Sequence, residues 1–400
     1  MPSISETADS SAKWTAIAIG FSVPISVALD NVLMLAVLFL WLASGHYREK
    51  YAIIRNSKTA LAALALIGLL AVGMLYGNAP FPDALNTFGK YIDLLFVPVF
   101  ITLFRDQKAR NHALSAFVFS MLLTLLLSYL LKFGIVHQNS ILRGFAENPY
   151  VFKLHITQNF FMSYAALILA SWAFHEKDPK TRILSGILSI LALFNVLFMV
   201  QGRIGYIVLA LLLPYLFIRK FGARGVAIGM FAVTLLGSTA YFGSREFHQR
   251  IDIAVSEFSH WHRGQATRES DSIGQRLEYD VNTLGIVRKH PFFGVGTGGF
   301  EQAYASGVAG TGMIAPHHPH NEFLLIASQL GLPGLMLLLS LFYIQWREAG
   351  MLPVREQYLA HGLVLAMMSG CLFNSFLLDH AEGLFFAFMT GVLFSGREPN

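Results

Sequence analysis

Long runs of apolar residues alternate with short polar connections over most of the chain. Runs of about 18 or more apolar residues are typical of helices that span a membrane. The pattern predicts an all-α polytopic integral membrane protein with about twelve spans, at 14–29, 31–43, 59–76, 90–104, 113–133, 156–174, 183–200, 204–218, 226–242, 323–346, 358–378 and 383–394. The first two are short and Pro24 interrupts one of them, so they form either a tilted pair or a re-entrant hairpin.

One long polar interval divides this pattern into three predicted parts. Residues 1–242 carry nine spans, residues 243–320 form a loop, and residues 321–400 carry three more spans. Within the loop, apolar residues recur close to helical spacing in two stretches, 244–263 and 272–291. A glycine-rich stretch, "FFGVGTGGF", follows, and we expect a tight turn there because no strand–turn–helix context favours phosphate binding. The loop is too short for a large core of its own, so we expect it to pack on the spans as a lid.

Composition and charge refine the topology. Hydrophobic residues make up 54% of the chain and charged residues 13%, whereas soluble domains are roughly a quarter charged. The single cysteine, Cys371, excludes disulfides and cysteine metal sites, and we expect no cleavable signal peptide. Of the 29 basic residues, 17 (Lys13 and Arg397 among them) fall on one side of the predicted spans, which predicts that this side is cytoplasmic. Both termini then lie inside, and the long loop faces outward.

Several basic residues fall on the predicted outer side in spite of this rule. Arg203, in "VQGRIGY" between two spans, either snorkels to the headgroups or points into a polar cavity. Arg276, in the loop, either pairs with Glu278 or Asp280 or binds a phosphate, which suits the planar guanidinium. Lys90 and Lys153 each stand at the outer edge of a span, and Lys90 has Asp93 as a possible partner one turn later.

Three histidines occupy four positions just before the tenth span: His317, His318 and His320. Three imidazoles are able to hold zinc, but Pro319 splits them and no ligand from another segment is evident. The remaining interpretations are solvated loop histidines or a general base, since histidine titrates near neutral pH. The last outward turn, with Asp379, either forms a simple polar hairpin or orients His320.

At this point the chain resembles the O-antigen ligase and polymerase superfamily. The resemblance rests on a His-Asn pair, His320 and Asn321, separated by nine residues from the Gly-x-x-Gly formed by Gly331 and Gly334. It includes "SIGQRLEYDVNTLGIVRKHPFFGVGTGGF" before the histidines and "QGRIGY" upstream of the loop, and it covers roughly residues 192–341. The first 150 residues match only as generic spans.

The resemblance implies a multi-pass, GT-C-like glycosyltransferase of the bacterial inner membrane whose active site faces the periplasm. It implies transfer of a glycan from undecaprenyl diphosphate to a lipid A-core sugar among membrane lipids, with no metal, no cofactor and no nucleic acid partner. The implied catalytic base is His320, and the implied diphosphate ligands are Arg203, Arg276, Lys153 and Lys90. Supporting roles fall to His318, Asn321 and Asp379.

Other functions stay open. Within the superfamily, the length and the few residues after the last span favour a ligase over a protein oligosaccharyltransferase. Two matches to the Arg-x10-Gly pattern of O-antigen polymerases, Arg263 to Gly274 and Arg288 to Gly299, lie in one loop and not in two. A transporter or flippase for lipid-linked sugars is the alternative from another class, although no inverted repeat is evident.

One structural expectation concerns the tenth span. The 26 residues from Asn321 to Trp346 would extend about 39 Å as a helix, more than the roughly 30 Å hydrocarbon core. We therefore expect Gly331, Pro333 and Gly334 to kink or break this helix, with 321–330 at the outer surface.

Overall fold

The computed structural model describes residues 3–262 and 272–396, so Arg263 and Arg397, used above, lie outside the described residues. The described residues form seventeen α-helices and no β-strand. In chain order the helices are α1 (Ile4–Ser22), α2 (Val27–Ala43), α3 (Tyr47–Asn56), α4 (Lys58–Tyr76), α5 (Phe81–Lys90), α6 (Phe96–Leu103), α7 (Gln107–Lys132), α8 (His155–His175), α9 (Pro179–Phe194), α10 (Arg203–Phe221), α11 (Ala223–Gly243), α12 (Arg245–His262), α13 (Ser272–Lys289), α14 (Phe300–Gly307), α15 (Glu322–Ala349), α16 (Val354–Phe373) and α17 (His380–Phe394). A 3₁₀ turn, Ile92–Leu95, precedes α6, and a π turn, Asn195–Met199, extends α9.

Each of the twelve predicted spans overlaps at least one helix of the structure, although 14–29 and 90–104 each contain a break. Among the described residues, six helices are long and apolar enough to cross a membrane, and up to eight if each of two bent pairs counts as one span. The structure therefore supports a polytopic helical membrane protein. The number of twelve crossings and the outward position of the long loop stay predictions.

The break near Pro24 divides the first predicted span. The helix α1 ends at Ser22, the chain bends through residues 23–26, and α2 begins at Val27, so residues 14–29 do not form one continuous helix. The same two helices pack closely against each other, and α1 also packs against α7. The interruption predicted from Pro24 is therefore confirmed, because a proline removes a backbone donor and ends a helix.

A break in the middle of α15, predicted from its glycines and proline, is confirmed. Gly331 has φ +67° and ψ −166°, which lies outside the helical region. The break leaves backbone groups without helical partners, and the segment 291–298 satisfies them. Val295 N–H donates to the Ser328 carbonyl (2.8 Å), and Gly296 N–H donates to the Gln329 carbonyl (2.8 Å). In return Leu332 N–H donates to the Pro291 carbonyl (2.7 Å).

The glycine-rich segment 294–299 is thus hydrogen-bonded to neighbouring helices in addition to turning the chain. Thr297 donates through its N–H to the Gly73 carbonyl (3.1 Å) and through its hydroxyl to the Leu70 carbonyl (2.7 Å), both on α4. Gly296 adopts φ +83°, and a Cβ there would lie 2.2 Å from the Gly77 Cα. Only glycine permits this approach of two backbones.

The polar interval folds as predicted into helices that pack on the bundle. Helices α12 and α13 cover the two stretches with helical spacing, and α14 follows the glycine-rich segment. Helix α13 packs against α12, α14 and α15, while α12 packs against α11. This arrangement brings the middle of α13 beside the start of α15, where the histidines are.

Candidate active site

His320 adopts an uncommon backbone conformation directly before α15. Its φ is +58°, in the left-handed region that a side chain other than glycine seldom occupies. Its N–H donates to Nδ1 of His318 (3.3 Å), and its ring stacks on Tyr279 of α13 at a centroid distance of 6.3 Å. Strained backbone of this kind persists where the surroundings hold it, and it is common at functional sites.

A short chain of hydrogen bonds orients the imidazole. His320 Nδ1 lies 3.1 Å from Oδ1 of Asn374, and Asn374 Nδ2 donates to Oδ2 of Asp379 (3.0 Å). Because the carboxylate of Asp379 accepts from the amide nitrogen, the amide oxygen faces the ring, and Nδ1 must carry the proton. Nε2 of His320 is then the ring atom with a free lone pair, which is the form that a general base requires.

Glu322 holds the segment that carries Asn374 and Asp379. The side chain of Glu322 is fully buried, and it accepts from the Leu377 and Leu378 N–H groups (3.1 and 3.3 Å) and from the Tyr91 hydroxyl (2.7 Å). A buried carboxylate with three donors is well satisfied. The first turn of α15, which directly follows His320, therefore also fixes the backbone segment that carries Asn374, the hydrogen-bond partner of His320.

Asn321 connects the histidine to α13. Its Oδ1 accepts from Leu324 N–H (3.2 Å) and caps α15, while its side chain also hydrogen-bonds to Asp280. Burial raises the pKa of Asp280 to about 6, against the lowering effects of the Asn321 bond and of Arg276. One Asn thus ties the N-terminus of α15 to the helix that carries Arg276.

The two predicted arginines approach each other from different helices. Arg203 is the first residue of α10, and its Nη1 lies 3.8 Å from Oε2 of the buried Glu257. Burial lowers the pKa of Arg276 and the charge of Arg203 lowers it further, while Asp280 and Glu257 oppose the change. Two guanidinium groups that repel each other in a half-buried site are suited to an anion that binds between them.

The positive charges act on the histidines as well. Burial is the main cause that lowers the pKa of His320; the bond to Asn374 raises it, and Arg276 lowers it. Burial, then His320, then Lys90 lower the pKa of His318 to about 4. Both imidazoles are therefore neutral at pH 7, and Arg276 lies close enough to His320 to act on it.

Of the two predicted lysines, Lys90 acts on residues of this group, whereas Lys153 has a buried carboxylate partner. Lys90 is exposed at the end of α5, and its charge opposes the burial that raises the pKa of Asp379. Lys153 is buried, 7% exposed, and its Nζ lies 3.5 Å from Oδ2 of Asp30 on α2. Asp93, the partner suggested for Lys90, lies 3.0 Å from Nδ1 of His380 instead. Among the described residues, Asp93 and Lys90 form no ion pair. The predicted contact of Lys153 with a diphosphate stays a prediction.

The three histidines do not converge as metal ligands would. His317 is exposed and pairs with Glu301 (2.9 Å). Throughout residues 3–262 and 272–396, no set of three or more His, Cys, Asp or Glu side chains is grouped so as to hold a metal ion. The arrangement that is present offers a neutral base beside fixed cations.

Sequence reasoning missed three residues of this site: Asn374, Asp280 and Glu322. The predicted span 358–378 runs past Phe373, where α16 ends, so Asn374 was placed inside a helix. Asp280 appeared only as a possible partner of Arg276. Glu322 did carry a signal, because an ionisable residue at the start of an apolar run is costly unless it has a structural or functional role.

Comparison with known proteins supports the resemblance for one part of the chain. A family model described as O-antigen ligase matches residues 187–339, a segment that includes Arg203, Arg276 and His320. This match supports the O-antigen ligase and polymerase superfamily for that segment, which is less than half of the chain. No curated protein matches the sequence.

A solved structure resembles most of the chain weakly. It comes from a study of the structural coordination of polymerization and crosslinking by a peptidoglycan synthase complex. The similarity covers 84% of this chain and 96% of that chain at 15% identity, with a TM-score of 0.47. At this level the similarity assigns neither fold nor function.

Proposed function

We propose, from the O-antigen ligase match over residues 187–339, that this protein is a membrane glycosyltransferase of the O-antigen ligase type. Its reaction transfers a glycan from undecaprenyl diphosphate to a lipid A-core sugar at the periplasmic face of the bacterial inner membrane. The observation that carries the proposal is the orientation of His320, whose Nδ1 is held by Asn374 and whose Nε2 is free, within the electrostatic reach of Arg276.

The proposed roles follow from the chemistry of the step. The acceptor hydroxyl attacks the anomeric carbon, the bond from that carbon to the phosphate oxygen breaks, and Nε2 of His320 takes the hydroxyl proton. Negative charge grows on the departing lipid diphosphate, and Arg203 and Arg276 stabilise it. Fixed donors at such a charge are worth roughly 10²–10³ in rate each, and a positioned base contributes about 10²–10⁴.

Neutral histidine is what this step needs at pH 7. The same burial and the same cation that lower the pKa of His320 keep the ring unprotonated and ready to accept. The left-handed backbone of His320 and the cap made by Asn321 place the ring at the start of α15, where α13 brings Arg276.

The proposal is tested by transfer in vitro from undecaprenyl-diphosphate glycan to rough lipopolysaccharide with purified protein and EDTA present. We expect His320→Ala to lower the rate by about 10²–10⁴, and Arg203→Gln or Arg276→Gln to lower it by about 10²–10³. His137→Ala is the matched control, because His137 is an exposed histidine of the connection before α8 and should leave the rate unchanged.

Three outcomes would replace the proposal with another function. Activity abolished by EDTA would indicate a zinc enzyme. A lengthened lipid-linked glycan without any lipopolysaccharide product would indicate a polymerase. Labelled glycan that crosses proteoliposomes without covalent transfer would indicate a transporter.

A further inference from the structure

A polar cavity lies beside the candidate site, between α5, α14 and the outer half of α15. Its volume is about 600 Å³, inside the range of roughly 300–1,000 Å³ that is typical of ligand pockets. Its lining includes six side chains that carry carboxylate, amide or ammonium groups: Asp83, Asn86, Lys90, Glu301, Gln302 and Gln329.

Gln329 is the feature that points to a ligand. This side chain is fully buried and lines the cavity, and its Oε1 accepts from Gly298 N–H (2.7 Å). Its Nε2 is also buried and has no hydrogen-bond partner among the described residues. A buried amide donor without an acceptor is costly, so a hydroxyl or carbonyl oxygen bound in the cavity would relieve it.

The charges of the cavity exclude a strongly anionic ligand. Asp83 and Glu301 supply two carboxylates against the single ammonium of Lys90, and His317 already pairs with Glu301. A diphosphate would meet net repulsion here, in contrast to the arginine pair on α10 and α13. Amides and carboxylates together form donors and acceptors that suit a ligand rich in neutral hydroxyl groups.

His317, which lies three positions before His320, also lines the cavity. Lys90 lies on its edge, and the charge of Lys90 acts on both His318 and Asp379, which are the neighbours of His320. Leu378, in the segment that holds Asp379, lines the cavity too. A sugar held there lies among residues that neighbour His320 in the chain or in its hydrogen-bonded segment, on elements other than those that carry the arginines.

We propose that this cavity binds the acceptor: an uncharged, hydroxyl-rich sugar at the end of the acceptor glycan. Asn86, Gln302 and Gln329 hydrogen-bond to its hydroxyl groups, and one further hydroxyl faces His320. This inference rests on the proposed function and assigns the acceptor to the cavity and the lipid diphosphate to the arginines.

The test measures the KM values for donor and acceptor separately, with rough lipopolysaccharide as the acceptor probe. Asn86 and Gln302 have exposed side chains, so Asn86→Ala/Gln302→Ala should preserve the fold. We expect the KM for the acceptor to rise about 10-fold, since two neutral hydrogen bonds are lost, with the KM for the donor unchanged. Asn56→Ala/Asn111→Ala, at two exposed positions on the opposite end of the bundle, is the matched control.

A second variant addresses Gln329. Gln329→Glu retains an oxygen for Gly298 N–H but replaces the orphan donor, so it should raise the KM for the acceptor. The apparent Tm is measured alongside, because a buried carboxyl group lowers stability. If wild-type protein transfers glycan but both variants keep their KM for the acceptor, the inference is wrong and the proposed function stands. A rise in the KM for the donor alone would assign the cavity to the donor glycan, and no transfer by wild type would remove both proposals.

Discussion

An amide, and not a carboxylate directly, orients His320, the proposed base. Asn374 fixes the tautomer of His320 through its side-chain carbonyl oxygen, and Asp379 fixes the orientation of the amide by accepting a hydrogen bond from its nitrogen. A carboxylate at the position of Asn374 would favour the imidazolium and raise the pKa of the ring more strongly. The neutral amide selects the proton position and leaves the base unprotonated at the pH of the reaction.

The pH dependence of transfer reports on this arrangement. Activity should fall at acid pH as His320 becomes protonated, with a midpoint below the ordinary histidine pKa of 6.5. Asn374→Ala removes a bond that raises the pKa of His320, so it should move this midpoint to lower pH and reduce kcat by about 10²-fold. Arg276→Gln removes a charge that lowers the pKa, so it should move the midpoint to higher pH.

The test is that the midpoint of the pH–rate profile moves in opposite directions in Asn374→Ala and Arg276→Gln. A variant that only loosens the fold changes the amount of active protein and leaves the midpoint of the pH–rate profile in place. Equal midpoints for wild type and both variants would therefore contradict the placement of His320 as the base.

The sequence was informative about residues that carry unusual chemistry for their position. His320, Arg203 and Arg276 stood out because cations and clustered imidazoles at a membrane edge call for an explanation. Asn374 gave no such signal, because its contact with His320 joins positions 54 apart in the chain. Lys153 stood out for the same reason as the arginines, but the structure pairs it with Asp30, a partner more than a hundred positions away.

At the scale of the elements, the glycine at the break of α15 is essential. Gly331 has φ +67°, and a Cβ there would lie 2.5 Å from the Phe292 carbonyl carbon. Gly331→Ala should therefore destabilise the protein by about 2 kcal/mol or more, through backbone strain and through displacement of the segment 291–298. The apparent Tm in detergent measures this effect.

Gly68 supplies the matched control for that substitution. It lies within α4, and a Cβ there would meet nothing within 4 Å. Gly68→Ala should leave the apparent Tm unchanged or raise it slightly, because alanine favours the helix over glycine. Equal effects of the two substitutions would show that the break does not require glycine.

The sequence predicted the existence of the helices better than their ends. The apolar runs predicted helices that the structure contains, and Gly331 with Pro333 predicted the break in α15. The end of α16 at Phe373 was missed, because the residues that follow are still largely apolar and the hydrogen bonds that hold them come from Glu322. Long-range hydrogen bonds of this kind leave no local pattern.

At the scale of the whole molecule, a buried ion pair joins the first helices to the connection before α8. Lys153 and Asp30 are both buried, and Asp30 also accepts from the Ser22 hydroxyl (2.5 Å). Lys153→Ala leaves a buried carboxylate without its cation, so it should cost about 3–5 kcal/mol of stability.

A double replacement separates stability from a role in binding. Lys153→Met/Asp30→Leu removes both charges, so it should recover most of the stability lost in Lys153→Ala. The apparent Tm and the KM for the donor are measured for both variants. A double variant that is stable but has a raised KM for the donor would show that Lys153 binds the diphosphate after all.

The backbone hydrogen bonds that join 291–298 to α4 and α15 make the relative position of Arg276 and His320 independent of the number of residues between them. Arg276 and His320 are 44 positions apart in the chain. Midway between them, the segment 295–297 is held by hydrogen bonds to the Ser328, Gln329 and Gly73 carbonyls. The exposed stretch 309–314 then only bridges two fastened points. We therefore expect insertions or deletions within 309–314 to leave both side chains in place, so the number of residues between the arginine and the histidine is a poor criterion for identifying such a site.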